Sequence, residues 1–399
     1  MRQACVQIKN LIEFRGYETI NLDFSKTQVA FSDVLVPFSI VLQKYIDECV
    51  KFKVVLPRYD KFRRLLLNTD FLHHIDPRRY PKSSIEEKFH LPIKRFTDPN
   101  AQDALVNSII DNILRVIYFL DRSHLRALEW SLNEIMDNVL THSESSLGGM
   151  VQLSIHSVSK EIAFCVADAG IGIPVSLSGG LQRHLSHVEA LEESIKEGVT
   201  RGTGQGNGLF GSSQIAAISG GAFSINSGKA FLNYDRKDKA IARPDDSEYF
   251  GTSISCAINY SKPLILEHAL KFKDGPHLPM DLIDMKYDGM DGVLNFLLSA
   301  EAPSISNRPA GFSTRKKLEY LISQITPKRI FLDFKDIGMM SSSFADELIS
   351  KTVEKIGINE FNDKYIIGNI SEINIKIIYR SIRQRLNVDE VILRHAYTD

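Results

Sequence analysis

Ala167-Asp168-Ala169-Gly170-Ile171-Gly172-Ile173-Pro174 is the stretch on which the fold of this chain turns. The apolar residues 162–166 lead into it, so Asp168 stands at the end of a strand expected to be buried. A carboxylate in that place can accept a hydrogen bond from the amino group of adenine. Gly170 and Gly172 bring no Cβ, which lets the backbone pass close to a ring. A strand followed by an ordinary glycine turn would read the same way, so the stretch needs partners elsewhere in the chain.

Upstream, residues 127–142 read as a helix carrying Glu134, Asn138 and His142, each four positions from the last. That spacing sets the three on one slowly drifting stripe. Asn138 offers a neutral oxygen of the kind Mg²⁺ accepts beside phosphate oxygens and water. Glu134, one turn away, can act as a general base on a water or hydroxyl facing a terminal phosphate. Downstream, Arg201-Gly-Thr-Gly-Gln-Gly-Asn-Gly-Leu209 runs straight into an amphipathic helix over 209–218. Glycine-rich backbone before a helix N-terminus supplies free N–H groups and a positive dipole end for phosphates. It is not a Rossmann fingerprint, because the segment before it is helical. Phe250-Gly251-Thr252-Ser253-Ile254 then opens a closing strand.

Taken in order, Glu134-x3-Asn138, Asp168-x-Gly170-x-Gly172, Gly204-x-Gly206-x-Gly208-Leu209 and Gly251-Thr252 resemble the boxes of the GHKL superfamily. That superfamily holds the gyrase, heat-shock chaperone, mismatch-repair and histidine-kinase ATPases. The resemblance implies a Bergerat α/β sandwich that takes ATP and Mg²⁺. It implies that Asn138 binds the metal, that Asp168 reads adenine with Thr252 beside the base, and that Gly204, Gly206, Gly208 and Leu209 cradle phosphate. Residues 176–203 would form a mobile lid. Within the superfamily, Glu134-x3-Asn138-x3-His142 is most similar to the anti-sigma-factor serine kinases. His124 lacks the neighbours expected of a phosphoacceptor histidine.

The ends of the chain look alike. Asn21-Leu22-Asp23-Phe24 echoes Phe331-Leu332-Asp333-Phe334, and a serine, Ser32 or Ser342, lies nine residues beyond each aspartate. Leu332-Asp333-Phe334 together with Met340-Ser-Ser-Ser-Phe344 resembles the STAS-like domains that accompany GHKL proteins. Ser341-Ser342 stands where STAS anti-anti-sigma factors have an aspartate-serine pair. Ser342 is thus readable as a phosphoacceptor, or Ser342 or Ser343 simply as a helix cap. Ser32, in the poorer N-terminal match, reads as an N-cap and only secondarily as a phosphoacceptor.

The expected architecture is α/β: a STAS-like domain over 1–85, the GHKL domain over 100–262 with helices on one sheet face, and a STAS-like domain over 285–399. Prolines at 263, 276, 279, 303 and 309 interrupt the pattern between the last two. Across 399 residues, 43% hydrophobic and 24% charged content are those of a globular protein, and a net charge of −1 gives no reason to expect nucleic acid or an anionic membrane as partner. Cys5, Cys49, Cys165 and Cys256 are scattered without a CxxC pair and read as buried thiols. No stretch approaches the ~18 apolar residues of a membrane span and no apolar leader opens the chain, so the expected location is the cytoplasm. Three functions fit: an Mg-dependent ATPase switch acting on STAS-like regulatory domains, a serine/threonine kinase acting on a STAS-like serine, and a non-hydrolysing ATP sensor. A regulatory protein partner and a homodimer are expected by analogy with the superfamily.

Overall fold

The computed structural model describes residues 1–399 except 84–88, 118, 200–205, 235–239, 288–291, 394 and 397–399. It divides into two compact units, residues 1–110 with 121–279 and residues 111–120 with 280–399.

In the first unit, β1 (Thr19–Asp23) and β2 (Lys51–Val55) pair in parallel around the helix Ser32–Asp47. A five-stranded antiparallel sheet follows. Its members are β3 (Lys94–Phe96), β4 (Gly149–His156), β5 (Glu161–Asp168), β6 (Ala222–Tyr234) and β7 (Ala240–Asn259), in the order β3-β4-β5-β7-β6. The polar turn between β4 and β5 places Lys160 at φ 57°. A small antiparallel pair, β8 (Lys271–Phe272) and β9 (Gly275–Pro276), ends the unit.

β4 and β5 are buried almost throughout, and their sequences show why. Ile162-Ala-Phe-Cys-Val-Ala167 is a continuous apolar run, the mark of a strand covered on both faces. In Met150-Val-Gln-Leu-Ser-Ile155 the polar Gln152 and Ser154 alternate with apolar residues yet are buried as well. Side chains alternate across a strand. Met150, Cys165 and Ala167 share a core with Leu35, Val36 and Phe38 of the helix Ser32–Asp47. Phe164, Val166 and Asp168 therefore turn the other way, toward the helix Arg122–His142. The expectation of helices on one sheet face is corrected here: the segment before residue 85 packs on the second face.

Two helices were hidden by prolines. Gly172–Gly180 and Arg308–Ile325 carry Pro174 and Pro309 in their first turns, where the missing N–H has no intrahelical partner to lose. The longer one is also capped, Asn307 Oδ1 accepting from Ala310 N–H at 2.9 Å.

The second unit holds a four-stranded parallel sheet of β10 (Val293–Leu297), β11 (Arg329–Asp333), β12 (Tyr365–Gly368) and β13 (His395–Ala396), in that order. The helices Arg308–Ile325 and Glu372–Leu386 accompany it, as does Ser342–Ala345, which continues through one π-helical turn into Lys351–Ile356. Lys317 is fully buried here; its ammonium lies 2.7 Å from Asp111 and 2.5 Å from Glu301. Lys286 also reaches Glu301, at 2.8 Å. Burial acts to raise the Glu301 carboxyl, but Lys317 and Lys286 outweigh it and hold it below its ordinary value.

The two ends of the chain make the same turn. Asp23 accepts from Ser25 N–H at 2.8 Å and Asp333 from Lys335 N–H at 2.9 Å. Phe24 N–H and Phe334 N–H donate across to Val55 and Gly368, each at 3.0 Å. The serine assignments shift by one. Phe31, not Ser32, is the N-cap residue of Ser32–Asp47 and makes no side-chain cap. Ser341, not Ser342 or Ser343, caps Ser342–Ala345, accepting from Phe344 N–H at 3.1 Å, which leaves Ser342 exposed. Cys49, expected buried, is exposed at φ 70° just past a helix end.

Candidate functional site

The first unit contains a cavity of about 360 Å³ whose floor is one stripe of the helix Arg122–His142. Asp121 caps this helix, accepting from Ser123 N–H at 2.8 Å. Leu125, Leu128, Leu132, Ile135, Met136 and Val139 bury its core side. Trp130, Glu134, Asn138 and His142 all line the cavity. From 130 to 142 the stripe spans about 18 Å at 1.5 Å per residue, so the cavity suits an elongated ligand.

Asp168 closes one end. It is 2% exposed, and one carboxylate oxygen accepts from Gly170 N–H at 2.8 Å and Thr252 N–H at 3.2 Å. Burial pushes this carboxyl up to about 7 despite those two donors. The glycines around it are steric necessities. Gly170 does not line the cavity; a Cβ there would strike the backbone of Ser143, and its neighbour Ile171 donates to the same carbonyl at 2.8 Å. Gly172, at φ 76°, lines the cavity against Ser227 and the Gly251 carbonyl. Ser227 ties the three segments together, accepting from Ile173 N–H at 2.9 Å, donating to the Gly251 carbonyl at 2.7 Å and lying 3.3 Å from the Thr252 hydroxyl. Nothing in the sequence pattern singled Ser227 out.

Glu134 and Asn138 stand half-buried on the floor. Burial, and then the neighbouring Asp137 charge, raises the Glu134 carboxyl above its usual range. The helix Gly208–Ser219 begins against it: a Cβ on Gly208 would collide with the Glu134 carboxylate. Asn207 precedes this helix and does not cap it; its side-chain oxygen accepts from Gly198 N–H at 3.1 Å instead. The first-turn N–H groups thus keep no side-chain partner among the described residues, and such a helix start favours an anion. Gly206, at φ 69°, is pressed against the Gly198 and Val199 backbone. Gly206, Gly208, Leu209 and Thr252 line the cavity. Gly204 lies outside the described residues, as do residues 200–203 of the expected lid.

Trp130 extends the Glu134–Asn138–His142 stripe by one turn, a continuation the four-residue spacing already contained. Phe272 and His277 reach the same cavity from the β8–β9 pair, and no local motif announced them. The donors suit an adenine nucleotide with its metal: a buried acceptor for a base amino group, a neutral amide oxygen at mid-floor, and an open helix start beside a carboxylate.

Residues 124–258 match the family model described as histidine kinase-, DNA gyrase B- and HSP90-like ATPase. Residues 315–374 match one described as a STAS-like domain of unknown function. No curated protein matches the chain. Residues 124–258 are a GHKL-type ATP-binding domain, and a STAS-like domain follows it in the same chain.

Proposed function

We propose that this GHKL-type protein is an Mg-dependent ATPase whose nucleotide state is read out through its STAS-like domain. The observation that carries the reading is Glu134, a half-buried carboxylate raised above its ordinary range and set against the helix start at Gly208. A carboxylate so placed is a better proton acceptor than a solvated one and would face the position of an attacking water. Asn138 would hold Mg²⁺ together with phosphate oxygens, and the bound metal would neutralise charge developing on the phosphates. Asp168 would orient adenine, with Thr252 beside it. The N–H groups opening Gly208–Ser219 would hold phosphate. Residues 1–85 are read as a reduced STAS-like copy, on the shared turn geometry of Asp23 and Asp333.

A second reading, a serine/threonine kinase, is favoured by one observation. Ser341 is engaged as the helix cap, which leaves Ser342 exposed in the segment matched to the STAS-like family. Incubation with ATP labelled at the γ-phosphate separates the two. Released phosphate supports the ATPase; label retained on the chain and lost in Ser342→Ala supports the kinase. Neither outcome, with ATP still bound, would leave a non-hydrolysing sensor and overturn both.

A further inference from the structure

The β8–β9 pair lies beyond the segment matched to the ATPase family, yet Phe272 and His277 line the cavity. Trp130, Phe272 and His277 form one cluster. Ring centroids are 6.5 Å apart for Trp130 with each of the others and 6.3 Å for Phe272 with His277. His277 N–H donates to the Leu270 carbonyl at 2.8 Å, which closes the turn. Gly211 makes the space, since a Cβ there would collide with the outer carbons of the Trp130 ring. Trp130 precedes Glu134 by one helical turn, so the cluster lies on the side of Glu134 away from Asp168.

The segment 195–199 settles on the same pair. The Glu197 carboxylate accepts from Lys273 N–H, and the adjacent Gly198 N–H donates to Asn207 at the start of Gly208–Ser219. One short stretch is thereby fixed at once to the hairpin and to the anion-binding helix start.

We infer that the 271–277 hairpin is the end wall of the nucleotide site. It shields Glu134 with an aromatic cluster and serves as the surface on which the 195–199 segment docks through Glu197. Phe272 and His277 are positioning residues, and Glu197 sets how long the triphosphate stays. The inference rests on reading the cavity as the ATP site. A wall at this end is met by a triphosphate and missed by a diphosphate, which makes the hairpin a determinant of ATP over ADP.

Trp130 is the chain's single tryptophan, so its emission reports directly on this end of the cavity. The full-length protein is titrated with Mg-ADP and with the magnesium salt of a non-hydrolysable ATP analogue. Binding is followed by calorimetry and release by stopped-flow emission. The triphosphate should shift Trp130 emission more than ADP does, and Phe272→Ala should erase that difference. Glu197→Ala should speed release of the triphosphate about three- to tenfold, the worth of one exposed hydrogen bond. Glu197→Gln, whose amide oxygen still accepts from Lys273 N–H, should release it as the wild type does. If calorimetry finds no nucleotide bound to the wild type, the ATP-site reading itself falls. If nucleotide binds but Trp130 emission does not distinguish the two ligands, or the Ala and Gln variants release alike, the hairpin inference alone is overturned.

Discussion

Asp168→Asn changes one atom at the closed end of the cavity and separates two consequences of burying a carboxylate. In the wild type, the oxygen that accepts from Gly170 and Thr252 N–H groups is matched by an amide oxygen in the variant, so the local fold is kept. What changes is the side facing the ligand, where an acceptor becomes an N–H₂ donor opposite the adenine amino group. A charge-assisted hydrogen bond is worth about 1.5–3 kcal/mol, so nucleotide should bind about tenfold to a hundredfold more weakly. The pH dependence sharpens this. Burial holds the Asp168 carboxyl at about 7, against about 3.9 when exposed. The folded state therefore binds a proton that the unfolded chain has already released. The group's contribution to stability falls as pH rises from about 4 to about 7 and is constant above, a loss on the order of 4 kcal/mol. Without nucleotide, the variant should thus resist urea better than the wild type at pH 8 and hold no such advantage at pH 4. Nucleotide affinity runs the opposite way: ionising Asp168 creates the charged acceptor, so wild-type affinity should climb by the same factor, about tenfold to a hundredfold in all, as pH rises toward 7 and then level off. The variant, sharing the nucleotide's own titration, supplies the baseline for calorimetry with Mg-ATP. Equal affinities, or parallel pH profiles in the two proteins, would refute the assignment of Asp168 to the base.

Glu134→Gln should lower phosphate release at least about a hundredfold while leaving Mg-ATP affinity within about threefold by calorimetry; surviving turnover would remove Glu134 as the base. Gly208→Ala puts a methyl group onto the Glu134 carboxylate, so both turnover and affinity should fall, with circular dichroism unchanged. Lys317→Met takes the buried cation from Glu301 and Asp111 in the second unit, leaving them Lys286 alone, and should cost about 3 kcal/mol in urea denaturation, the low end for breaking a buried pair. Glu301 is held below its ordinary value in the wild type, so its contribution is present above the unfolded pKa and lost as pH falls; the gap between the two proteins should narrow toward pH 4. Ser341→Ala should cost about 1 kcal/mol as a lost cap, whereas Ser342→Ala should stay within about 0.5 kcal/mol.

The strands and the main helices were legible because their periodicity is set by burial, and burial is written residue by residue. The helix read over 127–142 lies within Arg122–His142, the one over 209–218 within Gly208–Ser219, and the apolar run 162–166 within β5. The floor of the cavity was legible for the same reason, since Glu134, Asn138 and His142 repeat at the helical interval. Gly172–Gly180 and Arg308–Ile325 were missed because a proline in a first turn is locally indistinguishable from one that ends a helix. The cap at Ser341 was displaced by one because three consecutive serines can each fill that position. Ser227, Phe272 and His277 could not be read at all. Ser227 meets Ile173, Gly251 and Thr252 through a register between strands, and the two rings come from a hairpin far along the chain. Neither relation leaves a mark in the neighbouring residues.

The core that Met150, Cys165 and Ala167 share with Leu35, Val36 and Phe38 bears on how the protein can be taken apart. A fragment cut at 124 and 258 would hold every residue of the cavity floor and all the matched family sequence, but it would carry the back of its sheet bare into water. Such a surface is adhesive, so a trimmed domain should clump, and its lost turnover would be mistaken for lost chemistry. The smallest piece worth assaying begins with the first hundred residues still attached: they are the ATP domain's lining as much as its neighbour.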